Sequence, residues 1–165
     1  MTMDTLLQTY EPTGEALGSD FFRRGSDIVA KDLLGRYLVR FFPGINTHVV
    51  GQIREVAAYQ GETDSSSEGL NESAGMITVS RKMGRNLLDI ATGNDDSASC
   101  ITLRAAAFYF DDIENVQGPG LLTEALQIDK DFSGYDIGSC DDLWIEGDGV
   151  SPDVIRRRNK SGLPN

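Results

Sequence analysis

The stretch that decides the fold is His48–Gly61, HVVGQIREVAAYQG. Val49, Gly51, Ile53, Glu55, Ala57 and Tyr59 fall on one parity, and Val50, Gln52, Arg54, Val56 and Ala58 on the other. A strand with two-residue periodicity would place these sets on opposite faces, so Glu55, Ala57 and Tyr59 are expected to share one. A carboxylate and a phenol on one side of a strand, separated by a small residue and followed by Gly61, form a plausible wall for a planar ligand. An ordinary half-buried strand with an ion-paired Glu fits the same local pattern.

Working outward, Tyr37–Phe42 reads as a preceding strand, and Pro43-Gly44 as the turn that makes the two antiparallel. Ahead of them, Ser26 and Asp27 are positioned to cap a helix running from Asp27 to Leu34 that Gly35 ends. Downstream, Met76–Val79, Leu87–Thr92 and Cys100–Ala107 read as strands, and SRKMGRN as a basic loop around Gly84. Leu121, Leu122, Ala125 and Leu126 give one apolar helical stripe from Leu121 to Gln127. Trp144 lies in a final strand expected to be buried. The segment from Glu62 to Gly75 reads as an exposed loop.

The chain has 165 residues, enough for one core, and 18 Gly spread between short apolar runs favour a strand-rich fold over a helical bundle. These signals predict a mixed α+β domain over residues 17–158, with a flexible N-terminus at 1–16 and a tail at 159–165. At its centre is an antiparallel sheet with a few peripheral helices packed on it.

A formal net charge of −11 excludes a surface that binds polyanions everywhere. Nine of the fifteen basic residues nevertheless cluster, at Arg23-Arg24, at Arg81, Lys82 and Arg85, and at Arg156–Arg158 with Lys160. Together on one face they would make a basic strip; dispersed, they are solvated charges. Cys100 and Cys140 lack metal or redox spacing, and the single histidine, His48, has no partner for zinc, so no metal is expected. No basic start followed by an apolar run opens the chain and no segment reaches membrane-spanning length, which predicts a cytoplasmic protein.

The segments LGSDFFRRGSDIVAKDLLGRYLVR, VGQIREVAAYQG, ITLRA, GPGLLTEALQIDK and LWIE, in this order from Leu17 to Glu146, resemble the 3-methyladenine DNA glycosylase family of the human alkyladenine type. The resemblance implies a curved antiparallel sheet, no metal or other cofactor, and hydrolytic release of damaged purines. The partner it implies is double-stranded DNA with a damaged purine. The purine is flipped from the duplex, stacked on aromatic side chains, and cut from its sugar by a water that a glutamate activates.

The family's central strand reads Glu, any residue, Glu, Ala, Tyr, with the second Glu as general base; here the stretch is Glu55, Val56, Ala57, Ala58, Tyr59. The base position is thus Ala57, and Glu55 is the nearby substitute. By the same resemblance, Tyr59 stacks on the flipped base and Arg104 lies near the DNA. Glu68 stands where a histidine contacts the base, and Asp89 where the pocket has an asparagine. Lys82 or Met83, depending on a one-residue gap, takes the place of the wedge tyrosine, with Arg85 beside it. The expected function is a base-excision-repair glycosylase for alkylated purines, its activity weakened or lost, acting as a monomer. The alternative is a family member that binds DNA without cutting it.

Overall fold

The computed structural model describes residues 10–60, 73–93, 99–110 and 113–149. Seven strands form one curled antiparallel sheet. They are β1 (Tyr37–Phe42), β2 (Thr47–Tyr59), β3 (Ile77–Lys82), β4 (Arg85–Thr92), β5 (Ser99–Phe110), β6 (Ile113–Gln117) and β7 (Leu143–Glu146). The order across the sheet is β3-β4-β5-β2-β1-β7, with β6 paired to the far end of β5. Among the described residues three α-helices accompany it, α1 (Ser19–Phe22), α2 (Ser26–Leu33) and α3 (Pro119–Ala125). The single mixed α+β architecture is the one expected from the sequence, and every ladder is antiparallel.

The β1–β2 pair forms as expected, but the turn between them is a 3₁₀ turn at Pro43–Ile45 closed by Asn46 in the left-handed region at φ 49°. Trp144 is 8 % exposed. Helix α2 starts one residue earlier than expected. Gly25 occupies its N-cap and neither Ser26 nor Asp27 caps it through a side chain. Ser26 is instead inside the first turn and buried, while Asp27 sits where the helix dipole favours a negative charge. The inward face is Val29, Ala30 and Leu33, and Ile28 is left exposed. Gly35, at φ 85°, then turns the chain so that its amide donates to the carbonyl of Ile53 at 2.9 Å. On α3, Leu122 and Thr123 are buried, as is Leu126 at its C-cap, while Leu121 faces outward, so the stripe is narrower than the sequence suggested.

SRKMGRN is not a loop. It is the end of β3, a two-residue turn at Met83-Gly84, and the start of β4. Both turn residues have positive φ, 52° and 78°, the combination that matches the twist of a tight hairpin. The strand β6 was not anticipated, because its five residues, IENVQ, follow a polar segment and carry little β pattern.

The largest departure is in β2. Val49 and Ile53 pack into the core on one parity, but so does Val56 on the other. Between them the pairing with β5 is irregular, running Ile53↔Ala106, Glu55↔Ala105, Val56↔Leu103. β5 does the same, since Leu103 and Ala106 are both core residues. A bulge makes both strands reverse their inward parity at one level. The uniform alternation from Val49 to Tyr59 is therefore broken, and Ala57 and Tyr59 face away from Ile53. Ahead of the bulge the ring of Phe108 lies over Gly51. A Cβ on Gly51 would lie 2.6 Å from Cε1 of Phe108, so only glycine fits.

The part of the N-terminal region that is described, from Tyr10, is held by a buried carboxylate. Glu146 accepts from the Tyr10 hydroxyl, from Thr13 N–H at 2.7 Å and hydroxyl at 3.2 Å, from Gly14 N–H at 3.0 Å and from Trp144 Nε1–H at 2.6 Å. Burial by itself would raise the Glu146 pKa, but these hydrogen bonds outweigh it and hold the carboxyl below its ordinary range.

Candidate active site

The face of the sheet turned away from the core is assembled by register. Directly opposed residues in antiparallel strands point to the same side, so each cross-strand row is a row of neighbouring side chains. One row runs Tyr59, Cys100, Ala91 across β2, β5 and β4. The next runs Ala57, Thr102, Asp89, Thr78 and reaches β3. Core residues flank this row on the opposite face, with Val56 on β2, Ile101 and Leu103 on β5, and Leu88 and Ile90 on β4. Tyr59 and Ala57 are two positions apart, roughly 6 to 7 Å along the strand. Ala57 and Asp89 are two strand spacings apart, roughly 10 Å.

Asp89 is 6 % exposed and accepts hydrogen bonds on both oxygens. Ser80 Oγ donates to Oδ2 at 2.8 Å, and Thr102 Oγ1 donates to Oδ1. Burial raises the Asp89 pKa above its ordinary value, while Thr102, Ser80 and the charge of Lys82 pull it back without cancelling the rise. Sequence reasoning missed Thr102 and Ser80. For Thr102 a signal was available, because it is a hydroxyl at an outward position between Ile101 and Leu103, which face inward.

Among the residues singled out in the sequence, Tyr59, Ala57 and Asp89 thus come to one face, with Arg104 two residues along β5 from Thr102. Glu55 lies at the bulge, paired to Ala105, one step beyond Ala57. Lys82 follows Ser80 by two on β3, on the same parity. Lys82 ends β3 and Met83 opens the turn that follows it. Met83 is the hairpin tip and is 99 % exposed, with Arg81, Lys82 and Arg85 around it. Arg85 leans on α3, where a Cβ on Gly120 would come within 2.5 Å of its Cδ. Glu68 lies outside the described residues, as do Arg156–Arg158 and Lys160. Arg23 and Arg24 do not join the hairpin charges through this face; they are ion-paired locally to Asp20 at 2.9 Å and to Asp32 at 2.7 Å.

A sheet face with an aromatic residue and a buried carboxylate, beside a basic hairpin whose tip is apolar, carries the residue types that suit a flipped base held against a duplex. The methylpurine-DNA glycosylase family model matches residues 20–165. The chain belongs to this family. Curated relatives agree with the assignment. Proteins of Legionella pneumophila named "Putative 3-methyladenine DNA glycosylase" are 31 % identical in strain Lens and 33 % in strain Corby, each alignment covering 87 % of this chain and 83 % of the relative. A protein of the same name from Psychrobacter cryohalolentis is 27 % identical over 87 % of this chain and 82 % of its own length. Membership supports a DNA-repair glycosylase function with DNA as substrate. Among the described residues no helix is long and apolar enough to cross a membrane.

Proposed function

We propose that the protein is a weakened DNA glycosylase that flips alkylated purines such as 3-methyladenine from duplex DNA and hydrolyses their N-glycosidic bond. The observation that carries this reading is the register that sets Tyr59 and Asp89 on one outward face, beside the hairpin ending at Met83. In it Tyr59 stacks on the base, Met83 wedges the vacated stack, and Lys82, Arg85 and Arg104 meet phosphates. An alkylated purine is cationic, which makes it a good leaving group and a good partner for an aromatic face. Weakness follows from Ala57, since a methyl group accepts no proton and the family's base position is empty of carboxylate. The protein acts in this reading as a cytoplasmic monomer without a cofactor.

The second reading is a family member that binds damaged DNA without cutting it. Ala57 favours it, and so does the net charge of −11, which keeps duplex affinity modest. Duplex binding and purine release measured on one purified sample separate the two. Release above the spontaneous rate supports the enzyme, and binding without release supports the binder. Affinity should fall steeply with added salt, and Arg85→Ala or Arg104→Ala should weaken binding to all sequences alike.

A further inference from the structure

We propose that Thr102 and Asp89 act as a relay that replaces the missing general base, taking the proton of the attacking water above Ala57. The inference rests on the enzyme reading above and deepens it by naming the groups that move the proton.

The geometry is that of a single row. Thr102 is the direct cross-strand partner of both Ala57 and Asp89. Its hydroxyl donates to Asp89 Oδ1, which leaves the oxygen's lone pairs free to accept from a water on the Ala57 side. Ala57 is half-buried, whereas Thr102 is 3 % exposed and Asp89 6 %, so the row is more open at the methyl of Ala57 than at the hydroxyl and the carboxylate beside it. Ser80 holds the other carboxylate oxygen and fixes the group's orientation.

The step balances without any further reactant. The water oxygen bonds to C1′ as the C1′–N bond breaks, and that bond's electron pair leaves with the purine. The alkylated purine starts cationic and departs neutral, so it needs no proton. One water proton passes to Thr102 Oγ1 while the proton of that hydroxyl passes to Asp89 Oδ1. A carboxyl raised from its ordinary value by burial is a stronger acceptor than an exposed aspartate. Among the described residues the other titratable and charged groups on this face are Lys82 on β3, Arg85 on β4, Cys100 and Arg104 on β5, and Glu55 and Tyr59 on β2. Of these, Lys82 pulls the Asp89 pKa down.

The test uses the full chain and duplex DNA methylated on its purines, with binding and single-turnover purine release followed across pH. The expected result is release that falls as Asp89 becomes protonated. Asp89→Asn should lower release roughly a hundred-fold or more and flatten the pH profile, in single-turnover rates measured with the duplex saturated. Thr102→Val should lose a comparable factor, and Thr102→Ser should regain most of it. Release by Asp89→Asn and Thr102→Val at the unaltered rate overturns the relay. So does a flat profile in the unaltered chain, a readout that needs no variant to fold. If the chain binds but does not release while Ala57→Glu releases, the pocket is real and the relay is refuted. If neither binds duplex, the enzyme reading itself has failed.

Discussion

Ile53 and Val56, three residues apart on one strand, both point into the core. A regular strand would send them to opposite faces. The bulge between them turns Ala57 and Tyr59 outward, and the matching irregularity at Arg104 and Ala105 lets β5 follow. Deleting Arg54 should therefore drive Tyr59 toward the core and Val56 out of it. The expected outcome is loss of the cooperative thermal transition. A melt within a few degrees of the unaltered protein would show that the bulge is not needed to set the faces.

Glu146 and Asp89 should shape the pH dependence of stability in opposite senses. The folded pKa of Glu146 lies below its ordinary 4.5, so its contribution is fully present above that pH and is lost as pH falls through the folded value. Asp89 is raised above its ordinary 3.8, so it costs nothing below that pH, and stability is lost as pH rises through its folded value. At pH 7, Glu146→Gln is expected to lower the unfolding free energy by about 2 kcal/mol or more. Asp89→Asn should leave it unchanged or raise it. Urea midpoints at pH 7 and pH 4 check both, and a Glu146→Gln protein with an unaltered midpoint at pH 7 refutes the first.

Met83 offers a clean separation of binding from folding. At 99 % exposure its side chain contributes nothing to the core, so Met83→Ala should shift stability by no more than about 0.5 kcal/mol. If the tip inserts between base steps, the same change weakens duplex binding and leaves the salt dependence, set by Lys82 and its basic neighbours, largely as it was. Equal duplex affinity for the two proteins would remove Met83 from the interface.

Ala57→Glu restores a carboxylate beside Tyr59, and purine release should rise above that of the unaltered chain. The new charge stands two strands from Asp89 and should push the Asp89 pKa higher still. Release unchanged by Ala57→Glu and abolished by Glu55→Ala would instead make Glu55 the general base.

The elements were legible in the sequence wherever one rule acted alone. Val29, Leu33 and Gly35 announce a helix and its end, and Leu88, Ile90, Ile101 and Leu103 alternate cleanly within their strands. Tyr59 and Asp89 could be named as site residues only through the family resemblance, and their shared face came from register, which is a property of strand pairs. The bulge was hidden because REV carries no turn residue to mark it. Ser26 misled because a serine at a helix start is used for capping only if its side chain stays outside the core. Thr102 escaped notice because a threonine in a strand has ample propensity to be there without a chemical role.

The cage around Glu146 also imposes an order on events. Tyr10 is synthesised 136 residues before the carboxylate it binds, a delay on the order of ten seconds at ordinary rates of translation. Until then the outer edge of β1 lacks β7, and a bare strand edge is open to pairing with another chain. The arrival of LWIE pairs that edge and supplies the carboxylate on which the N-terminal segment docks, so both wait on the last strand of the sheet to be made.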